Sequence, residues 1–223
     1  MWVVPPAQPH NGKTEAAFLP ILTRQLGLPA PRLAVYVSPL SALINDQFRR
    51  LNGLCERLLI PVHPWHGGIS ASAKKHFFER PEGVLLITPE SLQALFCNHG
   101  FEIPRLFSGI LYIVVDELHS FIGSERGKQV QTLLHLLDLR TGQKVTRIGL
   151  SATLGNMELA ASFLSGFGAY KRHCEIIEAE DGASGKKMNL PASRGGGADP
   201  TANKKLRQPL SCRGEVEEWL NSI

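Results

Sequence analysis

The chain has 223 residues, of which 43% are hydrophobic and 20% are charged, and its formal net charge at pH 7 is +4. This composition is that of an ordinary globular protein, and it excludes a wholly disordered, collagen-like or coiled-coil chain. No apolar run reaches the roughly 18 residues that a membrane-spanning helix needs, so we expect no membrane partner. The four cysteines are far apart and form no C-x-x-C pair, which indicates reduced thiols and a cytoplasmic location.

Up to about residue 180, short apolar runs alternate with helical patterns. The predicted strands are residues 2–4, 33–37, 61–65, 84–88, 110–115 and 146–150. The predicted helices are residues 13–26, 41–59, 71–79, 91–98, 127–139 and 157–164. This alternation predicts an α/β domain with a parallel, doubly wound sheet, in which all strands end at one edge and ligands bind outside that edge.

The composition changes beyond residue 180. Residues 181–214 are rich in Gly, Ser, Ala, Pro, Lys and Arg and carry seven basic and two acidic side chains. So little apolar surface cannot offset the entropy of ordering a backbone, and we predict that this segment is disordered. It either binds nucleic acid non-specifically or serves only as a soluble tail. Residues 215–223 are predicted to form a short helix, so residues 1–180 are the folded domain.

A Gly-Lys-Thr sequence follows the first predicted strand. Asn11, Gly12, Lys13 and Thr14 stand where this strand gives way to the first helix. Backbone N–H groups at a helix start can cradle phosphate, the lysine can reach the β- and γ-phosphates of a nucleotide, and the threonine hydroxyl can ligate Mg²⁺. Taken alone, such a sequence is more often an ordinary helix start.

Two adjacent carboxylates follow the predicted strand 110–115. Asp116 and Glu117 are therefore expected at the edge of the sheet where ligands bind. Asp116 can hold Mg²⁺ through water, and Glu117 can orient or deprotonate an attacking water. A solvated acidic turn is the alternative for this pair alone, but the Gly-Lys-Thr sequence on the same sheet favours a nucleotide site.

Small hydroxyl side chains follow the predicted strand 146–150. Ser151 and Thr153 can hydrogen-bond the acidic motif and respond to the loss of phosphate. The alternative is an N-cap region for the next helix, and for this sequence taken alone that alternative is favoured.

Taken in order, these sequences resemble the first RecA-like domain of superfamily 2 DEAD/DEAH-box helicases, and in detail the large-helicase-related (Lhr-type) group. The resemblance covers about residues 1–180. It is carried by GKTEAAFLP at 12–20, SPLSALINDQ at 38–47, WHGG at 65–68, LITPESL at 86–92, VDELH at 115–119, SERG at 124–127 and GLSATLG at 149–155.

The resemblance implies ATP and Mg²⁺ as cofactors and DNA or RNA as the partner. Catalytic roles are implied for Lys13, Asp116 and Glu117, with Asn11, Gly12 and Thr14 completing the nucleotide site and Thr14 and Asp116 holding the metal. His119, Ser151 and Thr153 would couple the nucleotide state to the bound strand. Contacts with the nucleic-acid backbone are implied for Pro39, Leu40, Ser41, Gly67, Gly68, Thr88, Pro89 and Glu90.

The sequence also departs from the family pattern. Pro9 lacks an N–H, and His10 stands where glycine would let the backbone approach phosphate. Ser41 replaces the basic residue that such helicases often carry. We expect neither the segment that recognises adenine nor a second RecA-like domain, which would make the chain a helicase fragment, a truncated gene product or one subunit of a split enzyme.

Three functions are compatible with these features. The first is an ATP-binding and nucleic-acid-binding motor domain that lacks turnover alone, because no second domain completes its site. The alternatives are a non-enzymatic nucleic-acid-binding remnant with a degraded phosphate loop, and a split ATPase that is completed by a second RecA-like domain on another chain.

Overall fold

The computed structural model describes residues 2–4, 13–30, 32–151, 157–165 and 175–176. These residues belong to the first of the two units into which the chain divides, Met1–Ala179 and Glu180–Ile223. The predictions for residues 181–214 and 215–223 therefore lie outside the described residues. None of the described helices combines the length and the apolarity that crossing a bilayer requires.

The described elements alternate between strands and helices. The strands are β1 (Trp2–Val4), β2 (Leu33–Val37), β3 (Val62–Trp65), β4 (Gly83–Ile87), β5 (Ile110–Val115), β6 (Thr146–Leu150) and β7 (Glu175–Ile176). The helices are α1 (Lys13–Leu26), α2 (Ser41–Arg57), α3 (Ala71–Glu79), α4 (Pro89–His99), α5 (Ile103–Leu106), α6 (Glu125–Thr141) and α7 (Met157–Ser165), and a 3₁₀ turn spans Leu118–Ser120.

The strands form one parallel sheet in the order β3-β4-β2-β5-β6-β1-β7. This confirms the predicted α/β class and the doubly wound sheet. Val37 at the end of β2 pairs with Ile87 of β4 on one side and with Val115 of β5 on the other. Val4 of β1 pairs with Leu150 of β6. Because these paired strands end in register, the segments that follow them meet at one edge of the sheet.

Two apolar layers cover the faces of the sheet. Along β2, Leu33, Val35 and Val37 pack with α3, α4, α5, α6 and α7, whereas Ala34 and Tyr36 pack with α1 and α2. All five of these residues are fully buried. Burial of each large aliphatic side chain contributes about 1.5–3 kcal/mol, so the central strand is a rigid base for the residues at its end.

The differences from the predicted boundaries have local causes. Helix α4 begins at Pro89 rather than at residue 91, because Thr88 Oγ1 accepts a hydrogen bond from the N–H of Ser91 at 3.3 Å and proline suits a first helical position. Helix α6 begins two residues earlier than predicted because Ser124 Oγ caps it. The short elements α5 and β7 were not predicted, since four and two residues show no measurable periodicity.

Candidate functional site

The carboxylate of Asp116 is held at the end of β5. Its N–H donates to the carbonyl of Val37 at 2.9 Å, which extends the pairing of β5 with β2 by one residue. The phenol of Tyr36 on β2 donates a hydrogen bond to Asp116 Oδ2. Burial of Tyr36, together with the nearby charge of Asp116, holds the pKa of the phenol well above its ordinary value. Tyr36 therefore remains a protonated donor that orients Asp116, a role that the sequence did not reveal.

Glu117 has an unusual backbone conformation. Its φ of 47° and ψ of 45° lie in the left-handed region, where a residue other than glycine costs roughly 1–2 kcal/mol. Such strain persists only where the surrounding structure compensates for it, and strained residues are concentrated at functional sites. The carbonyl of Glu117 accepts a hydrogen bond from the N–H of Ser120 at 2.8 Å, so the chain turns sharply out of β5 and leaves the carboxylate partly exposed.

His119 lies between the acidic motif and the end of β6. Its Nδ1 atom is 3.0 Å from Ser151 Oγ and 3.3 Å from Glu117 Oε2. Ser151 is only 1% exposed. The structure thus brings together three of the residues that the sequence singled out, whereas Thr153 lies outside the described residues.

Helix α1 follows β1 in the chain. Lys13 is the first residue of this helix, and Thr14, in its first turn, is 7% exposed. Asn11 and Gly12, like Pro9 and His10, lie outside the described residues.

The side-chain chemistry of the expected nucleotide site fits Mg²⁺ and nucleotide phosphates. The oxygens of Thr14 and Asp116 are ligands that Mg²⁺ prefers, and a helix start accepts phosphate. The described part of the chain holds no cluster of three or more His, Cys, Asp and Glu residues that suits a metal ion. Mg²⁺ usually completes its coordination with waters and substrate phosphates, so a set of two protein ligands suffices.

Three loops at this edge contain the eight residues for which nucleic-acid contacts were expected. The structure buries three of them and leaves the other five exposed. The buried residues are Pro39, Thr88 and Pro89, and the exposed ones are Leu40, Ser41, Gly67, Gly68 and Glu90. The exposed residues are therefore the ones that a strand on this edge can touch, and the buried ones shape the loops.

The first turn of α2 differs from the first turns of the neighbouring helices. Its N-cap residue is Leu40, whose side chain makes no cap hydrogen bond. By contrast, the hydroxyls of Ser70, Thr88 and Ser124 cap α3, α4 and α6 at 3.3, 3.3 and 3.0 Å. The first N–H groups of a helix have no partner within the helix. The start of α2 thus offers donors that no side-chain cap occupies.

Arg126, near the start of α6, connects two of the loops. Its Nε and Nη2 atoms donate to Glu90 Oε1 and Oε2 at 2.7 and 2.9 Å. Nη2 also donates to the carbonyl of Pro39 at 2.5 Å. Partial burial alone would raise the pKa of Glu90, but the hydrogen bonds and the charge of Arg126 outweigh this effect and hold the pKa below its ordinary value. The SERG sequence pointed to this segment, but not to its partners.

His66 connects the third loop to α2. Its Nε2 atom lies 2.9 Å from Asn45 Oδ1, and its Nδ1 accepts a hydrogen bond from the N–H of Gly68 at 3.2 Å. Because Nδ1 accepts, the ring proton of the neutral imidazole belongs on Nε2. The Gly67–Gly68 loop is therefore held to the second turn of the helix that begins at Ser41.

Comparisons with known proteins agree with this arrangement. The sequence model of the DEAD/DEAH box helicase family matches residues 6–161. The "ATP-dependent helicase Lhr-Core" of Sulfolobus acidocaldarius is 35% identical over 185 residues, which cover 76% of this chain and 20% of that protein. The protein of the same name from Methanothermobacter thermautotrophicus is 31% identical over 186 residues, which cover 75% of this chain and 21% of that protein. The chain thus spans about a fifth of the length of these relatives.

Solved structures of helicases are also similar to this chain. The Mycobacterium smegmatis helicase Lhr, solved with ssDNA and AMP-PNP, is 30% identical with a TM-score of 0.66, over 81% of this chain and 24% of that one. The DEAD-box helicase Mss116, solved with ssRNA and UDP-BeF, is 18% identical with a TM-score of 0.67, over 79% of this chain and 36% of that one. The second likeness bears on the fold alone, and both match the parallel sheet described above.

Proposed function

The chain belongs to the DEAD/DEAH box helicase family, and from this premise we propose that it is the ATP-binding and nucleic-acid-binding motor domain of an Lhr-type helicase. One observation carries the proposal. The strained acidic turn at Glu117, the Asp116 carboxylate held by Tyr36, and the three loops for which nucleic-acid contacts are expected all lie at one edge of the sheet. A motor needs both sites at a common edge, so that a change at one can reach the other.

Each residue of the nucleotide site has a defined task in this proposal. Lys13 binds the β- and γ-phosphates, while Thr14 and Asp116 hold Mg²⁺. Glu117 orients the attacking water and accepts its proton. When bound, the metal ion would neutralise the charge that develops on the phosphates during transfer. Tyr36 contributes by keeping one Asp116 oxygen hydrogen-bonded and the carboxylate in place.

The contact between His119 and Ser151 supports a coupling role for both residues, and the role proposed for Thr153 rests on the resemblance alone. Ser151 directly follows β6, the strand next to β5, and His119 follows the acidic motif. A movement of the acidic motif on phosphate loss would therefore alter a hydrogen bond to the segment after β6.

The three loops would bind DNA or RNA through its phosphates. The exposed Ser41 and Gly67 offer backbone N–H groups and little side-chain bulk, and the start of α2 favours negative charge. Such contacts position a strand without reading its base sequence. The proposal therefore predicts binding that depends on salt and is indifferent to sequence.

We further propose that the chain alone turns over ATP negligibly. By resemblance, the family's catalytic unit has two RecA-like domains, and an arginine finger contributes roughly 10³–10⁵ in rate in related NTPases. The described residues form a single sheet. A non-enzymatic nucleic-acid-binding remnant and a split ATPase completed by another chain remain the two competing proposals.

Titrations of the purified chain separate the three proposals. We expect Mg²⁺-dependent binding of a fluorescent, non-hydrolysable ATP analogue, binding of labelled single strands, and no turnover. Lys13→Ala should abolish nucleotide binding, and Glu117→Gln should leave both affinities nearly unchanged. Nucleic-acid binding without any nucleotide binding would favour the remnant. Turnover that appears only when a separate second RecA-like domain is added would favour the split enzyme, and robust turnover by the chain alone would refute the proposed inactivity.

A further inference from the structure

We propose that Arg126 is a positioning residue of the nucleic-acid interface, which sets the spacing between the loop after β2 and the loop after β4. The inference rests on the proposed function, because it requires a strand at this edge of the sheet. It concerns a residue of α6 for which the resemblance implied no role.

The guanidinium of Arg126 restrains two loops that are distant in sequence. It stands 36 residues from Glu90 and 87 residues from Pro39, and it hydrogen-bonds to both. Its Cζ atom also lies 5.9 Å from the ring centroid of Phe121, which is fully buried. A planar guanidinium with three hydrogen bonds and an aromatic neighbour has few alternative orientations. The positions of its acceptors on the two loops are therefore linked.

The two acceptors lead directly to the residues that face a strand. The carbonyl of Pro39 immediately precedes Leu40, the N-cap of α2, so Arg126 also fixes where the uncapped first turn of α2 begins. Glu90 follows Thr88, the N-cap of α4. A nucleic-acid backbone presents phosphates at a repeating distance, so two loops bind it well only when their own spacing matches.

This role also explains why a carboxylate occurs on a surface for a polyanion. An isolated Glu90 would repel phosphates, but both of its oxygens accept hydrogen bonds from Arg126. A bidentate pair of this kind is directional as well as charge-assisted. Glu90 thus helps to hold Arg126 in place, and the pair is neutral overall.

The test compares Arg126→Ala with a matched control, Arg105→Ala, in the full 223-residue chain. Arg105 also donates to a carboxylate, Glu102 Oε2 at 2.9 Å, and to a backbone carbonyl, that of Phe78 at 3.0 Å. It lies before β5, at the opposite edge of the sheet. The probes are fluorescein-labelled oligo-dT and oligo-rU, read by anisotropy at several salt concentrations, together with a non-hydrolysable ATP analogue and thermal melting.

We expect Arg126→Ala to weaken oligonucleotide binding by roughly tenfold or more, the size of losing a charge-assisted hydrogen bond. Arg105→Ala should bind as the unmodified chain does. Nucleotide affinity and melting temperature should match between the two variants. The slope of oligonucleotide affinity against salt concentration should stay unchanged in Arg126→Ala, because a positioning residue neutralises no phosphate. Arg126→Lys should recover part of the affinity, because an ammonium can reach one acceptor but cannot bind bidentately.

Four outcomes would overturn the inference. Equal oligonucleotide affinity for Arg126→Ala and Arg105→Ala would remove the role. A joint loss of melting temperature and nucleotide affinity would show that Arg126 stabilises the whole domain instead. If the slope of log affinity against log salt concentration is smaller by about 0.7 in Arg126→Ala, the value of one single-strand phosphate contact, then Arg126 itself touches the strand. An unmodified chain that binds nucleotide but no oligonucleotide would refute the nucleic-acid half of the proposed function and the inference with it.

Discussion

The hydroxyl of Tyr36 on β2 donates a hydrogen bond to the carboxylate of Asp116 at the end of β5, across two paired strands. Tyr36 is fully buried, and its bond to the half-buried Asp116 is part-buried. A buried donor that reaches a carboxylate at the ligand edge fixes the orientation of that carboxylate before any ligand arrives. This relationship gives the first two predictions.

Removing the hydroxyl should impair the metal-dependent part of nucleotide binding. We expect Tyr36→Phe to lower the affinity for the Mg²⁺-bound ATP analogue by tenfold or more, because a hydrogen bond to a charged group contributes about 1.5–3 kcal/mol. Binding measured in EDTA should change little. Tyr112→Phe is the control, since Tyr112 lies on β5 near its other end. Equal losses with and without Mg²⁺ would argue against a role through Asp116.

The same hydroxyl should make the folded chain sensitive to alkali. Burial and the charge of Asp116 raise the pKa of Tyr36 in the folded state, above the value of about 10 that an exposed tyrosine has. The folded chain therefore holds this proton more tightly than the unfolded chain does. Its contribution to stability is complete below pH ~10 and declines as the pH rises above that value. Above pH 10, the free energy of unfolding measured with denaturant should fall more steeply in the unmodified chain than in Tyr36→Phe. The same pH dependence of this free energy in both proteins would contradict the prediction.

The hydrogen bond between His119 and Ser151 should link the two binding sites. We expect Ser151→Ala to leave each affinity nearly unchanged when it is measured alone, but to reduce the effect of bound nucleotide on oligonucleotide affinity. Because such coupling is reciprocal, the effect of oligonucleotide on nucleotide affinity should fall by the same factor. Ser165→Ala, which removes an exposed hydroxyl of α7, is the control. Unchanged coupling would exclude this role.

Gly127 is required for the position of α6. A Cβ atom at Gly127 would lie 1.8 Å from the carbonyl oxygen of Phe121, so α6 can approach the segment after the acidic motif only without a side chain there. We expect Gly127→Ala to destabilise the fold by about 1–3 kcal/mol, as other overpacking substitutions do. Gly53→Ala in α2 is the matched control, since its Cβ would meet nothing within 4 Å, and it should stabilise by up to about 1 kcal/mol. Chemical denaturation measures both, and a neutral Gly127→Ala would refute the close approach.

Local patterns in the sequence were sufficient for the fold class. Residues 33–37 and 110–115 form strands as predicted because a parallel strand that is covered on both faces is a continuous apolar run. The order of the motifs then placed Asp116 and Ser151 at strand ends without reference to any contact. Helix starts were less accurately predicted. Thr88 and Ser124 cap α4 and α6, and both helices begin two residues before their predicted starts, since a cap depends on the geometry of the preceding loop.

The order of the strands and the partners at the site were decided by the tertiary structure. Tyr36 and Asp116 are 80 residues apart, and Arg126 and Pro39 are 87 residues apart. No local pattern predicts such pairs, because they depend on which strands are neighbours and on their register. The left-handed backbone of Glu117 has the same origin, since only the packed surroundings can compensate for its strain. Local sequence motifs thus determine which chemical groups the site contains. The geometry of the site follows from the burial of both faces of one sheet, because this packing makes strands that are distant in sequence end side by side.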